Sequence, residues 1–212
     1  MTKKFPHLTV VGSIASGKTT AAKILAQSLQ GHLVDADFFE ENPFLPLYVK
    51  DMPRWAFASE LYFTRLRLKK LREINKLINL QPVIVDAGLI MSTHVFCKNH
   101  LIQGTMTAAE WQFYLDLIDD LKTKIVNPDL VVYLKASPQV QFNRIKSRGR
   151  QFEKAYKIKY LNQLTDRLEE LIETFQEDHQ PYLVFDAEKH NILKVSGKKA
   201  LISQVKAAIK SL

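Results

Sequence analysis

Apolar residues along this chain gather into two kinds of run. Short dense ones read as buried strands: Phe5 to Val11, His32 to Ala36, Val83 to Asp86 inside Pro82 to Gly88, Asp129 to Ala136, and Pro181 to Phe185. Between them apolar positions recur every three or four residues, the spacing of a helix with one buried face. Thr19 to Leu29 is the first such stretch. Arg54 to Asn79 is the longest, with Phe57, Leu61, Leu68, Leu71, Ile74 and Ile78 on one stripe and basic residues on the other side. Leu89 to Gln103 follows, and Thr107-Ala108-Ala109-Glu110 is a capping box that opens a helix ending near Asn127-Pro128. Ser137-Pro138 caps and starts another through Arg148, Phe152 to Glu177 is amphipathic, and Lys198 to Leu212 closes the chain. Phe38 to Pro53, with three prolines and many aromatics, predicts a short irregular helix and loop that walls a pocket or joins the core.

Five strands alternating with helices imply a parallel sheet with right-handed crossovers, so the expected fold is a three-layer α/β/α sandwich. Its 212 residues suit a single domain over 1–212, with a lid at about 144–155. The single cysteine, Cys97, excludes an internal disulfide, and no run of about 18 apolar residues occurs, so no membrane association and a cytoplasmic location are expected. The net charge of +8 favours anionic ligands. Its cations, such as Arg65, Arg67, Lys69, Lys70 and Arg72, are spread over helix faces without an aromatic-interleaved stripe. They read as solvated surface, and nucleic acid is not the expected partner.

One stretch carries recognisable chemistry: Gly12-Ser13-Ile14-Ala15-Ser16-Gly17-Lys18-Thr19-Thr20 fits G-x-x-x-x-G-K-[ST] and lies between a strand and a helix. Glycines at both ends let the backbone curl until several N–H groups point at one anion, and the helix adds its positive end. Lys18 reaches the terminal phosphates, and Thr19 offers its hydroxyl to Mg2+. Asp35 and Asp37 close the second strand and Asp86 the third, at the strand ends where open parallel sheets bind ligands. Asp86 is a magnesium candidate or a turn-forming aspartate. In the run Arg144 to Arg150, Arg144 and Arg148 share a helical face and Arg150 follows Gly149. Three planar guanidiniums suit a lid that closes over a transferring phosphoryl group, or a solvated helix end with a glycine cap.

Taken together these pieces resemble the deoxynucleoside kinase family, in particular its bacterial deoxyadenosine/deoxyguanosine kinase branch. The similar stretches are Gly12 to Thr20, Glu41 to Pro46, Asp51 to Phe57, Phe96 to Asn99, Pro128 to Leu134 and Arg144 to Glu153. The resemblance implies the phosphate-loop kinase fold with strand order 2-3-1-4-5. It implies transfer of the γ-phosphate of ATP or another triphosphate, with Mg2+, to the 5′-hydroxyl of a nucleoside, and a homodimer. Asp37 falls where the family has its general-base glutamate. Lys18, Thr19, Arg144, Arg148 and Arg150 match the family without change, and Asp86 matches its acidic metal residue. Tyr48, Phe57, Glu60 and Glu153 are the implied acceptor contacts. Departures cluster on that side: Asp86-Ala87-Gly88 lacks the motif's arginine, Val49 replaces a tyrosine, Ile90 and Ser92 replace Tyr and Asp, and Glu60 replaces a base-reading glutamine. A carboxylate only accepts hydrogen bonds, so it cannot copy an amide's paired donor and acceptor. Two alternatives therefore stand beside the nucleoside reading: a kinase of another small acceptor, and a nucleotide-binding relative with weak or lost catalysis.

Overall fold

A computed structural model describes residues 5–35, 39–121 and 125–212. Its centre is a parallel sheet of β1 (His7–Val11), β2 (His32–Val34), β3 (Val83–Asp86), β4 (Leu130–Lys135) and β5 (Tyr182–Asp186), in the order β2-β3-β1-β4-β5. This is the expected order, and every pairing is parallel.

The alternation of side chains along β1 divides the core in two. Leu8 and Val10 face one way and pack with α1 (Lys18–Leu29) and α9 (Val195–Lys210), through Ala22, Leu25, Leu201 and Val205. Val11 faces the other way, with Val131 and Tyr133, onto Leu164, Leu168 and Leu171 of α8 (Ile158–Glu177). A sheet buried on both faces needs apolar residues at successive positions, and β1 is buried throughout. The register pairs Val10 with Asp86, which sets the end of β3 beside the start of the glycine loop.

The remaining helices build the rim at the carboxyl ends of the strands. α2 (Leu45–Lys50) leads into α3 (Met52–Leu77), whose start is capped by Asp51 accepting the Arg54 N–H at 3.3 Å. After β3 the chain runs as α4 (Gly88–Met91), a π-helical turn (Ser92–Cys97) and α5 (Lys98–Ile102), where the sequence predicts one regular helix. The wider turn re-aims Ser92 and Cys97 toward α3. α6 (Ala108–Asp120) begins on the expected Thr107/Glu110 capping box but stops short of Asn127-Pro128.

α7 (Pro138–Arg148) ends at Gly149, whose φ of 66° is the left-handed cap that residues with side chains adopt only under strain. Beyond it Phe152 to Glu177 is not one helix: a 3-10 turn spans Gln151–Ala155, and α8 starts at Ile158. Tyr156 and Lys157 are extended between them, which returns Glu153 to Arg148 and brings Tyr156 to the cleft.

Candidate active site

The glycine loop is held by contacts that leave no room for larger residues. Gly12 has a φ of 153°, and a Cβ there would lie 2.8 Å from the carbonyl oxygen of Leu134. Gly12, Ser13 and Ser16 form the buried back of the loop, while Ile14, Ala15 and Gly17 to Thr20 line a cleft of about 590 Å³. Lys18 donates from Nζ to the Ser13 carbonyl at 2.8 Å, so its ammonium lies over the loop. Thr19 donates from its hydroxyl to Oδ2 of Asp86 at 2.5 Å, and Asp86 is buried.

The three arginines do different things. Arg144 sends one nitrogen to the carbonyls of Ala15 and Ser16, at 3.2 and 2.9 Å, and another to Ala187 at 3.3 Å. It braces the loop by its backbone, a role the sequence reading as a phosphate ligand does not foresee. Arg148 holds both oxygens of Glu153, with Nε at 2.6 Å from Oε2, and the Glu153 carboxylate is buried. Arg150 lies 3.9 Å from the same carboxylate and stacks over Phe39. All three arginines line the cleft, and Glu153 does not. It positions Arg148 instead.

Away from the loop the cleft is closed by Tyr48, Glu60, Phe63 and Arg67, with Tyr156 and Tyr160 from beyond the 3-10 turn. Tyr48 is buried, its hydroxyl 3.4 Å from that of Tyr160 and 3.3 Å from Nε2 of His100. Burial pushes the Tyr48 hydroxyl well above its ordinary range and His100 down to about 4, so both of these groups are neutral near pH 7.

Glu60 is 6% exposed, and its Oε2 has no hydrogen-bond partner among the described residues. Burial raises its carboxyl to about 7, although the Arg67 guanidinium pulls the other way. Glu60 is thus part of the cleft wall and not a solvated helix residue. Arg67, read from sequence as solvated surface, is half-buried and donates to the Ser92 hydroxyl. It faces both Glu60 and Asp86. Its signal was present: Glu60 and Arg67 stand seven residues apart, two helical turns along one face.

Phe57 is a correction. It packs against the cluster of Cys97, Met106 and Tyr114 and meets Phe113 edge-on at 6.1 Å, and it does not line the cleft. Asp37 lies outside the described residues. A second cleft of about 210 Å³ shares Arg67 but lacks the loop and the lid arginines.

A glycine loop between β1 and α1, a lysine over it, a carboxylate at the end of β3 and arginines from α7 make this a phosphate-loop phosphotransferase. The deoxynucleoside kinase model matches residues 8–210, and the chain belongs to that family. Deoxyguanosine kinase of Bacillus subtilis is 28% identical over 96% of this chain and 98% of its own length. Deoxyadenosine/deoxycytidine kinase of the same organism is 29% identical over 79% of this chain and 77% of its own. Among solved structures, deoxyadenosine kinase of M. mycoides with bound dATP superposes with a TM-score of 0.78 at 25% identity, covering 97% of this chain and 99% of that one. The protein is a nucleoside kinase.

Proposed function

We propose that the enzyme transfers the γ-phosphate of ATP, or of another nucleoside triphosphate, to the 5′-hydroxyl of a purine deoxynucleoside, with Mg2+ as cofactor. The observation that supports this most is the continuity of one cleft from Lys18 and Thr19 to Glu60 and Arg67. Its volume of about 590 Å³ falls in the range of small-molecule sites. Solved structures of the M. mycoides deoxyadenosine kinase with bound dATP or dCTP support nucleotide occupancy of such a cleft.

Mg2+ fits the donors present. Thr19 and Asp86 supply a hydroxyl and a carboxylate within 2.5 Å of each other, both hard oxygen donors. Among the described residues no cluster of three or more metal-binding side chains exists, as suits an ion completed by substrate phosphates and water. When bound, the ion neutralises charge on the transferring phosphate.

Lys18 supplies a mobile positive charge at the same phosphate, and the N–H groups of Ile14 to Thr19 hold the chain of phosphates in line. Arg148 and Arg150 reach it from the other side, Arg148 oriented by Glu153. Asp37 takes the proton of the attacking hydroxyl in this scheme, a part assigned from its place in the sequence alone. The buried Tyr48 and the Glu60/Arg67 pair hold the nucleoside. The 1–212 chain acts as one domain with 144–155 as its lid. Two copies pair through the rim helices, where Phe113 is 55% and Ile102 51% exposed. Light scattering tests the pairing.

The test of the function is a panel of deoxynucleosides and nucleosides incubated with ATP and Mg2+ and read by 5′-monophosphate formed. Purine deoxynucleosides are phosphorylated, and chelation by EDTA abolishes turnover. Turnover confined to acceptors other than nucleosides overturns the reading.

A further inference from the structure

Two hydrogen-bonding positions are enough to tell the purine bases apart. The pairing edge of guanine offers two adjacent donors, N1–H and the 2-amino group. That of adenine offers an acceptor, N1, beside the donor 6-amino group. An ionised carboxylate has acceptors only and matches guanine, whereas a protonated carboxyl has one O–H donor beside one acceptor and matches adenine. A glutamine at the same place has the adenine pattern permanently.

Among the described residues Glu60 is the acidic side chain lining the base end of the cleft, and its buried Oε2 has no hydrogen-bond partner there. We infer that Glu60 chooses the acceptor base by its own protonation state, reading guanine when ionised and adenine when protonated. The inference rests on the nucleoside-kinase reading above.

The groups that face Glu60 leave this choice to Glu60 alone. Arg67, on its own helix, is the facing cation and stays charged across neutral pH. Tyr48 from α2, Tyr114 from α6, Cys97 from the π-helical turn, and Tyr156 and Tyr160 from the lid side all face it as well. Burial raises each of these five, so all remain neutral where Glu60 titrates, at about 7. The two forms of the site are therefore both populated near neutral pH, burial opposing ionisation and the Arg67 guanidinium favouring it.

The experiment is the ratio of kcat/KM for deoxyguanosine over deoxyadenosine, measured on the wild-type enzyme between about pH 6 and 8. Any group acting equally on both acceptors, the general base included, cancels in that ratio. If guanine needs the ionised form and adenine the protonated one, the ratio rises by up to about tenfold per pH unit, whatever the value at which Glu60 titrates. In Glu60→Gln, which cannot titrate, the ratio is flat and favours adenine.

Calorimetry in buffers of different ionisation enthalpy gives a second readout on wild type. Deoxyguanosine binding releases a proton below about 7, and deoxyadenosine binding takes one up above it. A flat ratio with both acceptors turned over, or an equal rise in Glu60→Gln, overturns the inference and leaves the kinase reading standing. No turnover of either nucleoside at any pH removes both.

Discussion

At the phosphate end of the cleft most of the ligand-facing groups come from one unbroken stretch, Gly12 to Thr20, joined by Asp86 and the lid arginines, and most of what that stretch offers is backbone N–H fixed by glycine geometry. At the base end they come from α2, α3 and the lid side of α8, and what they offer is side chains: Tyr48, Glu60, Arg67, Tyr160. A backbone cradle tolerates almost no change, since a Cβ at Gly12 strikes the Leu134 carbonyl oxygen at 2.8 Å. A side-chain pocket can be re-lettered one position at a time. The departures from the family pattern at Ala87, Val49, Ser92 and Glu60 fall on that second side, where Arg67 now bonds Ser92 and faces Glu60.

The sharpest way to separate the two ends is to remove Lys18. Losing a charged donor aimed at developing charge costs about 3–4 kcal/mol, or ~10²–10³ in kcat. Lys18→Ala should therefore turn over at about a hundredth to a thousandth of the wild-type rate, while its affinity for the nucleoside alone, read by calorimetry, stays as in wild type. A parallel loss of nucleoside affinity would mean that the ends are one site.

The second comparison concerns stability. The folded-state value of Glu60, about 7, lies above its ordinary 4.5, so the folded chain binds a proton that the unfolded chain has released. Glu60 is thus harmless below about 4.5, costs stability increasingly as pH rises from about 4.5 to about 7 because only the unfolded chain ionises freely there, and adds no further cost above that. The full cost is on the order of 3 kcal/mol. Glu60→Gln should match wild type in Tm at about pH 4 and exceed it increasingly up to about pH 7, beyond which the difference levels off. A constant Tm difference across that range would show that the carboxyl does not titrate in the fold.

The same division explains what could be read before the structure. The strand order, the capping boxes and the phosphate loop are local or family-wide patterns, so short stretches such as Thr107 to Glu110 or Gly12 to Thr20 announce them. Arg67 was hidden because an arginine on a basic helix face looks solvated until α4 and the π-helical turn pack on it with Ser92. Arg144 carries a bracing role that its sequence position does not announce, since its Nη1 and Nη2 groups bond the carbonyls of Ala15, Ser16 and Ala187. The break at Tyr156-Lys157 was invisible because Phe152 continues the apolar spacing of α8 without sharing its axis. Residues 36–38, with Asp37 among them, lie outside the described structure, and the general base stands on sequence alone.

Phe57 gives the smallest effect and the finest division between pocket and scaffold. Resemblance marks it as an acceptor contact, yet it sits behind α3 against Cys97, Met106 and Tyr114, with Phe113 at its edge. Phe57→Leu keeps the site apolar and removes part of a ring from a half-buried position, which costs about 1 kcal/mol. The expected outcome is a drop of a few degrees in Tm with KM for the nucleoside and for ATP both unchanged. Because Glu60 is on the same helix, a loosened α3 would show first as a change in the deoxyguanosine-to-deoxyadenosine ratio. A KM for the nucleoside raised severalfold, with Tm intact, would instead bring Phe57 into the pocket and move the boundary of the base end by a full helical turn.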